Sequence, residues 1–367
     1  MRILFSILVI LHGLIHLLGW LKGFGLREIK ELTLPISKPL AAIWLFSALL
    51  LLVYAALYLV QSKYSWIFGI LAALVSQVLI LIFWKDAKIG TIPNILIFLV
   101  SLMAWGQHRF QQVVKQESSE IYRKSIQGEA PLVEEKQLEK LPGPVKNWLK
   151  QSGMMGKPFH KGAKVTQSAE MKMNPDQEKW MKASAWQYTS IDPPAFIWTV
   201  DAQMNAFLGF KGKDRFKDGK GQMLIRLNSL IPIVDETGEK MDEGSIQRFL
   251  GEMVWFPSLA LSPYIRWEQI DNMSAKATLD YQGTSGSGTF FFNEEGDVIR
   301  FSALRYRGNE PDAQRREWIM DIQEYSTFEG IRVPSKMTST WRLGSGDWTW
   351  LKLEVNDIKY NPERMEF

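Results

Sequence analysis

The amino-acid sequence predicts an α+β membrane protein, with an N-terminal bundle of four transmembrane helices followed by a soluble antiparallel β half-barrel that carries covering helices. Three observations predict it. Apolar runs fill the first hundred or so residues, which hold only eight of the 43 Lys and Arg residues and three of the 39 acids. Beyond Lys157 the hydrophobic period changes to two, the repeat of a strand whose successive side chains face opposite sides. An amphipathic helix, Ile246 to Val254, interrupts these strands and gives a curling sheet something to wrap. The mean hydropathy of −0.09 is an average over two unlike halves.

Four apolar runs are read as spans: Ile3 to Trp20, Leu40 to Val60, Ser65 to Trp84 and Thr91 to Trp105. The first three approach the roughly 20 residues that cross about 30 Å of hydrocarbon, and the fourth is short. Trp20, Trp66, Trp84, Trp105 and Tyr64 stand at run ends, where an amphipathic ring sits well at headgroup level. A cleaved signal peptide over Met1 to Gly25 is the rival reading, but no small-residue cleavage site precedes a polar segment. Lys22, Arg27, Lys30, Lys38, Lys85 and Lys88 fall in the loops after spans one and three, which the positive-inside rule puts in the cytoplasm. The chain is therefore expected to be a multi-pass membrane protein with its C-terminal domain extracytoplasmic.

His12 and His16 share one face of span one, four residues apart. Haem would need a second axial ligand, and no other span carries an interior histidine; hydrogen bonding between helices is the expected role. No cofactor and no metal site is expected. The absence of cysteine excludes disulfides and thiolate chemistry. Outside the spans the charges are nearly balanced, which removes the electrostatic motive for nucleic-acid binding.

Residues 108–131 are read as a polar helical extension and linker, dividing a membrane domain (1–107) from the β domain (132–367). Leu141-Pro142-Gly143-Pro144 then breaks the chain before Val145, Trp148 and Leu149, the spacing of a short amphipathic helix ending near Gly153. Alternation places strands at Val165 to Met173 and Phe196 to Met204. Further strands are read at Ala275 to Tyr281, Gly288 to Phe292, Val298 to Tyr306, Trp318 to Tyr325, Ile331 to Leu343 and Trp348 to Tyr360. Gly-rich turns such as Asp218-Gly219-Lys220-Gly221 join antiparallel neighbours. In the helix, Ile246, Phe249, Leu250, Met253 and Val254 form the stripe, with Asp242 or Ser245 as cap and Pro257 as stop.

Two resemblances extend this reading. Leu11-His12-Gly13-Leu14-Ile15-His16, Asp86-Ala87-Lys88-Ile89-Gly90-Thr91, Asp192-Pro193-Pro194, Met241-Asp242-Glu243-Gly244 and Val254-Trp255-Phe256-Pro257 resemble an uncharacterised bacterial membrane-protein family, a domain of unknown function. The closing segment, from Tyr325 through Phe328-Glu329-Gly330-Ile331-Arg332-Val333-Pro334 to Ile358-Lys359-Tyr360-Asn361, resembles the end of lipoprotein-localisation carriers. That second resemblance implies an incomplete barrel around an apolar cavity, and hence acyl-chain binding.

Three functions compete. The first is a membrane-anchored module binding a lipid or other apolar ligand, with Phe196, Trp198, Phe249, Met253, Trp255 and Phe256 as candidate lining. Arg305 joins them because it shares parity with Ile299, Phe301 and Ala303; a buried cation needs a partner, either a carboxylate such as Asp201 or a ligand head group. The second is a structural or assembly protein of the cell envelope, since four spans exceed what anchoring needs. The third is a carboxylate-based enzyme using some of Asp192, Asp201, Asp218, Asp235, Asp242 and Glu243 with Arg215.

Overall fold

The structure is a computed structural model that describes residues 2–205 and 208–365. It divides into two compact units, Met1–Gln111 with Asn228–Leu230, and Gln112–Leu227 with Ile231–Phe367.

The first unit is helical. Helices α1 (Arg2–Gly23), α2 (Lys38–Leu59) and α3 (Ser65–Ile82) are followed by a helical turn, α4 (Trp84–Ala87), and by α5 (Thr91–Ser125), which starts in this unit. Among the described residues, four helical segments are long and apolar enough to cross a membrane: α1, α2, α3 and the stretch from Trp84 to Ser125. Their packing is inside-out relative to a water-soluble bundle. Leu11, Ile15, Leu49, Leu74, Leu81 and Leu99 are exposed, whereas Ser6, Ala41, Ala48, Ala72, Ala73 and Ser76 are buried. Small residues at helix contacts let backbones approach closely where lipid offers no hydrophobic drive to associate. At Gly19 the approach is so close that a methyl group there would fall inside the Trp44 indole.

His12 and His16 are buried in hydrogen bonds between helices. His12 Nε2 lies 2.9 Å from Asn94 Oδ1 and 3.3 Å from Ser76 Oγ, and His16 Nε2 lies 2.8 Å from the same Ser76 hydroxyl. His16 Nδ1 lies 2.9 Å from the His12 carbonyl, which ties the pair along its own helix. One serine thus joins both imidazoles to α3, and Asn94 joins α1 to α5.

The second unit is built on one sheet of thirteen strands, every neighbouring pair antiparallel. The first six strands are β1 (Gly162–Met171), β2 (Met181–Ser190), β3 (Ala195–Gln203), β4 (Gly209–Lys217), β5 (Lys220–Leu227) and β6 (Ile231–Glu236). The last seven are β7 (Ile265–Gln269), β8 (Ser274–Tyr281), β9 (Thr284–Phe292), β10 (Val298–Tyr306), β11 (Arg315–Phe328), β12 (Ile331–Leu343) and β13 (Gly346–Tyr360). Each set is a meander, and β1 pairs with β13 to fuse them, leaving β6 and β7 as the edges. Tight hairpins set the registers. Asp218-Gly219 and Glu329-Gly330 both take positive φ at two successive residues, the conformation of a two-residue turn that matches strand twist.

The sheet curls. Helix α8 (Glu239–Gly251) packs against β4 and β5 near one edge and β8, β9 and β10 near the other. The Thr284 hydroxyl donates to the Gly219 carbonyl at 2.7 Å, so hairpins from the two ends of the sheet meet. The result is an antiparallel half-barrel around α8. Two short helices precede it: α6 (Glu135–Leu138), and α7 (Gly143–Gln151), which buries Val145, Trp148 and Leu149.

The helix inside the barrel differs from its sequence reading in two ways. It begins at Glu239, a turn earlier than a cap at Asp242 or Ser245 implies. Asp242 is instead buried, accepting from the Gly221 amide and the Lys220 ammonium, both at 2.8 Å, so that it ties α8 to β5. The regular helix also stops at Gly251, and Met253 and Val254 continue in a 3-10 turn up to Trp255.

The outer face of β2 to β4 is covered as well. Residues 112–125 of α5 belong to this unit, where Glu117 accepts from Lys213 at 2.6 Å and Arg215 at 2.8 Å, and Glu120 from Lys217 at 2.5 Å. Ser125 Oγ lies 2.7 Å from the Tyr188 hydroxyl. Burial of Tyr188 in this contact raises its pKa to about 12.

Candidate functional site

Strand register creates two rows of side chains on the inner face. Gln187, Trp198, Asp214 and Met223 align across β2 to β5. Ala303, Trp318, Trp341 and Trp348 align across β10 to β13. Large aromatic and thioether side chains on both walls do not fill the space at this end. A cavity of about 450 Å³ remains, lined by Trp198, Trp255, Trp318, Trp341, Trp348 and Trp350 with Met171, Met223, Met320 and Met337 among others. That volume lies within the range of small-molecule sites, roughly 300–1,000 Å³.

The apolar wall carries a charged cluster. Arg248, on α8, bonds Asp214 at 2.6 Å, Glu252 at 2.7 Å and the Gln187 carbonyl oxygen at 3.2 Å. Gln187 returns its amide N–H to Glu252 at 2.7 Å and to Thr189 at 2.9 Å. The guanidinium also lies 4.9 Å from the Phe196 ring centre and 4.8 Å from that of Trp198. Burial pushes the Asp214 pKa up against the pull of Arg248 and Arg305. Burial also opposes the charge on Arg248, but Glu252 and Asp214 outweigh it and its pKa rises.

Arg305 faces the same cavity in a different state. Its guanidinium lies 4.2 Å from the Trp318 ring centre and 5.8 Å from that of Trp341, and its Nε has no hydrogen-bond partner. Burial, helped by the nearby Arg248 charge, lowers its pKa to about 10, so it stays charged near neutral pH.

The residues singled out from the sequence separate into two groups. Trp198, Trp255 and Arg305 lie on the cavity wall. Phe196, Phe249, Met253 and Phe256 are no more than 1% exposed and sit behind it in the core, where Phe249 packs 6.2 Å from Phe216. Ile299 does not share the inward face of Phe301 and Ala303: a register shift between Val298 and Arg300 turns it out, and it is exposed. Asp201 is not the partner of Arg305, because it pairs with Lys211 on its own hairpin.

The carboxylates weighed for catalysis are dispersed, each with a local partner. Asp192 accepts from the Tyr264 hydroxyl, Asp218 pairs with Lys124, Asp235 accepts from Gln222 and Glu243 binds Arg315, while Arg215 is held by Glu117. Sequence reasoning missed Arg248, Asp214 and Glu252. The available signal was Arg248 and Glu252, four apart in an otherwise apolar helix segment, the spacing of an intrahelical ion pair.

An open antiparallel half-barrel with an aromatic chamber, preceded by helices of membrane-spanning length, is the class of protein these features define. The chain belongs to a family of unknown function (DUF6544), whose sequence profile matches residues 131–353. Among solved structures it is similar to a LolA superfamily protein from Nitrosomonas europaea, with 12% identity and a TM-score of 0.34, covering 60% of this chain and 94% of that one. No curated protein matches the chain.

Proposed function

We propose that the chain is a membrane-anchored extracytoplasmic module that binds a lipid or another apolar ligand in the half-barrel chamber. One observation carries this reading: the inner face is packed solid around Phe196, Phe216 and Phe249, yet the Trp- and Met-lined end stays open. Interiors are ordinarily close-packed, and an apolar void of this size is costly unless something occupies it. The anchor is read from the four apolar helices, and the side of the membrane from the basic loops around Lys22 to Lys38 and Lys85 to Lys88.

The test is extraction of the purified full chain, held in a mild neutral detergent, followed by mass spectrometry. A bound apolar molecule is expected, and Leu353→Trp, which fills the chamber from its wall, should abolish recovery while leaving the melting temperature intact. A parent protein that yields no ligand sinks the proposal.

The four helices favour a second reading, in which they dock an envelope protein partner. A photoreactive residue at outward-facing Phe46 should then trap one and the same neighbour in independent preparations; random lipid adducts alone would reject it.

A further inference from the structure

We infer that the chamber's ligand is an amphipathic anion, an apolar chain with a carboxylate or phosphate head bound by the Arg305 guanidinium. The inference rests on the chamber reading above and adds the chemistry of the head group. Both carboxylates on the chamber wall are already taken, since Arg248 bonds Asp214 and Glu252 and Gln187 binds the second Glu252 oxygen. Arg305 makes no ion pair within 4.0 Å among the described residues. Its partner across the β10–β11 register is another cation, Arg316. The Trp318 face attracts its charge but accepts none of its N–H bonds in the plane of the guanidinium.

The rest of the wall has the same bias. Lys172 and Arg307 complete a set of four cations against the two carboxylates Asp214 and Glu252. The buried polar atoms of the described lining residues that lack a partner are Gln167 Nε2, Arg305 Nε, the indole nitrogens of Trp318, Trp348 and Trp350, and Ser339 Oγ. All of them can donate, and the serine hydroxyl alone among them can also accept. A buried donor without an acceptor is costly, and a hydrocarbon or a cation would leave each of these unsatisfied. The oxygens of a carboxylate or phosphate are acceptors only, and a planar guanidinium receives them two at a time.

The experiment compares three probes with matched sixteen-carbon chains on the full-length protein in neutral detergent: palmitate, palmitoyl lysophosphatidate and hexadecanol, read by competitive native mass spectrometry. At least one anion should exceed hexadecanol in occupancy by about tenfold, the ratio expected for one charge-assisted hydrogen-bonded pair. Preference for palmitate points to free fatty acids, and preference for lysophosphatidate to phospholipid-derived ligands. Arg305→Gln should bring the ratio to within about twofold without weakening hexadecanol. Equal occupancy by hexadecanol and both anions in the parent protein overturns the head-group inference and leaves the chamber reading standing. Failure of all three probes to bind overturns the chamber reading itself. Because the parent comparison decides these outcomes, the inference stays testable if the variant does not fold.

Discussion

Arg248 Nη1 lies 2.6 Å from Asp214 Oδ2, an ion pair between helix α8 and strand β4 on the wall of the Trp- and Met-lined chamber. The same guanidinium holds Glu252 at 2.7 Å. One cation therefore compensates two carboxylates, and removing it strands both. Breaking a buried pair from one side costs about 3–5 kcal/mol, whereas replacing the whole group with neutral side chains of similar shape is often close to neutral. Arg248→Met should lower stability by about that amount, and adding Asp214→Asn and Glu252→Gln should restore most of it. Denaturant melts of the purified chain decide the matter; a triple variant no more stable than Arg248→Met would mean that the loss comes from packing.

Phe249 and Trp341 both face the interior but at different depths. Phe249 is 1% exposed, against Phe216 and away from the cavity wall, while Trp341 lines the cavity. Phe249→Ala opens a hole in close-packed surroundings, at a cost on the order of 3–5 kcal/mol. It should do so with or without ligand. Trp341→Ala enlarges a space that already exists, so its effect should be smaller and should grow when bound ligand is extracted. Equal losses for the two variants would show that both belong to one packed core.

His160 introduces a pH dependence into the same unit. It is 3% exposed, its ring lies 4.0 Å from that of Tyr360 at an angle of 10°, and its Nδ1 has no partner. Burial, with a smaller push from Lys157, lowers its pKa from 6.5 to about 3. The folded state thus keeps the ring neutral where the unfolded chain is already protonated. Between pH 6.5 and pH 3 the unfolded state binds more protons, so stability falls as pH falls through that window. The loss approaches roughly 1.4 kcal/mol per pH unit for one group. His160→Phe should flatten the slope of melting temperature between pH 6.5 and pH 4.5 while preserving the stack on Tyr360. An unchanged slope would assign the acid sensitivity to other groups.

Several of the strands legible in the sequence have one wet face. β10 and β12 run from Val298 to Tyr306 and from Ile331 to Leu343, as alternation reads them. β4 escapes because Lys211, Lys213, Arg215 and Lys217 make it look like a charged loop. Lys213 is nevertheless 2% exposed, since the carboxylate that neutralises it, Glu117, comes from a helix nearly a hundred residues earlier in the chain. No local pattern encodes that pairing. β3 is buried on both faces for the same reason, Ile197 lying in the row of Tyr188 and Arg215. In the site, parity with Phe301 and Ala303 points Arg305 inward. The helical stripe that selects Phe249 and Met253 cannot distinguish the residues lining a cavity from those packed behind it, because both are apolar and both are covered.

The side of the membrane on which the half-barrel stands is testable in a chain that lacks cysteine. Ser345 is exposed in the turn between β12 and β13, and Lys30 is exposed in the loop between α1 and α2. Ser118 is unsuitable, since it is fully buried and its hydroxyl donates to the Val114 carbonyl at 2.6 Å. Basic residues resist translocation, and those around Lys30 outnumber their counterparts near Lys63 in the next loop. An impermeant maleimide added to intact spheroplasts should therefore modify Ser345→Cys and leave Lys30→Cys untouched until lysis. The reverse pattern would place the half-barrel in the cytoplasm. In that event a ligand for the chamber would have to be sought among cytoplasmic amphiphiles.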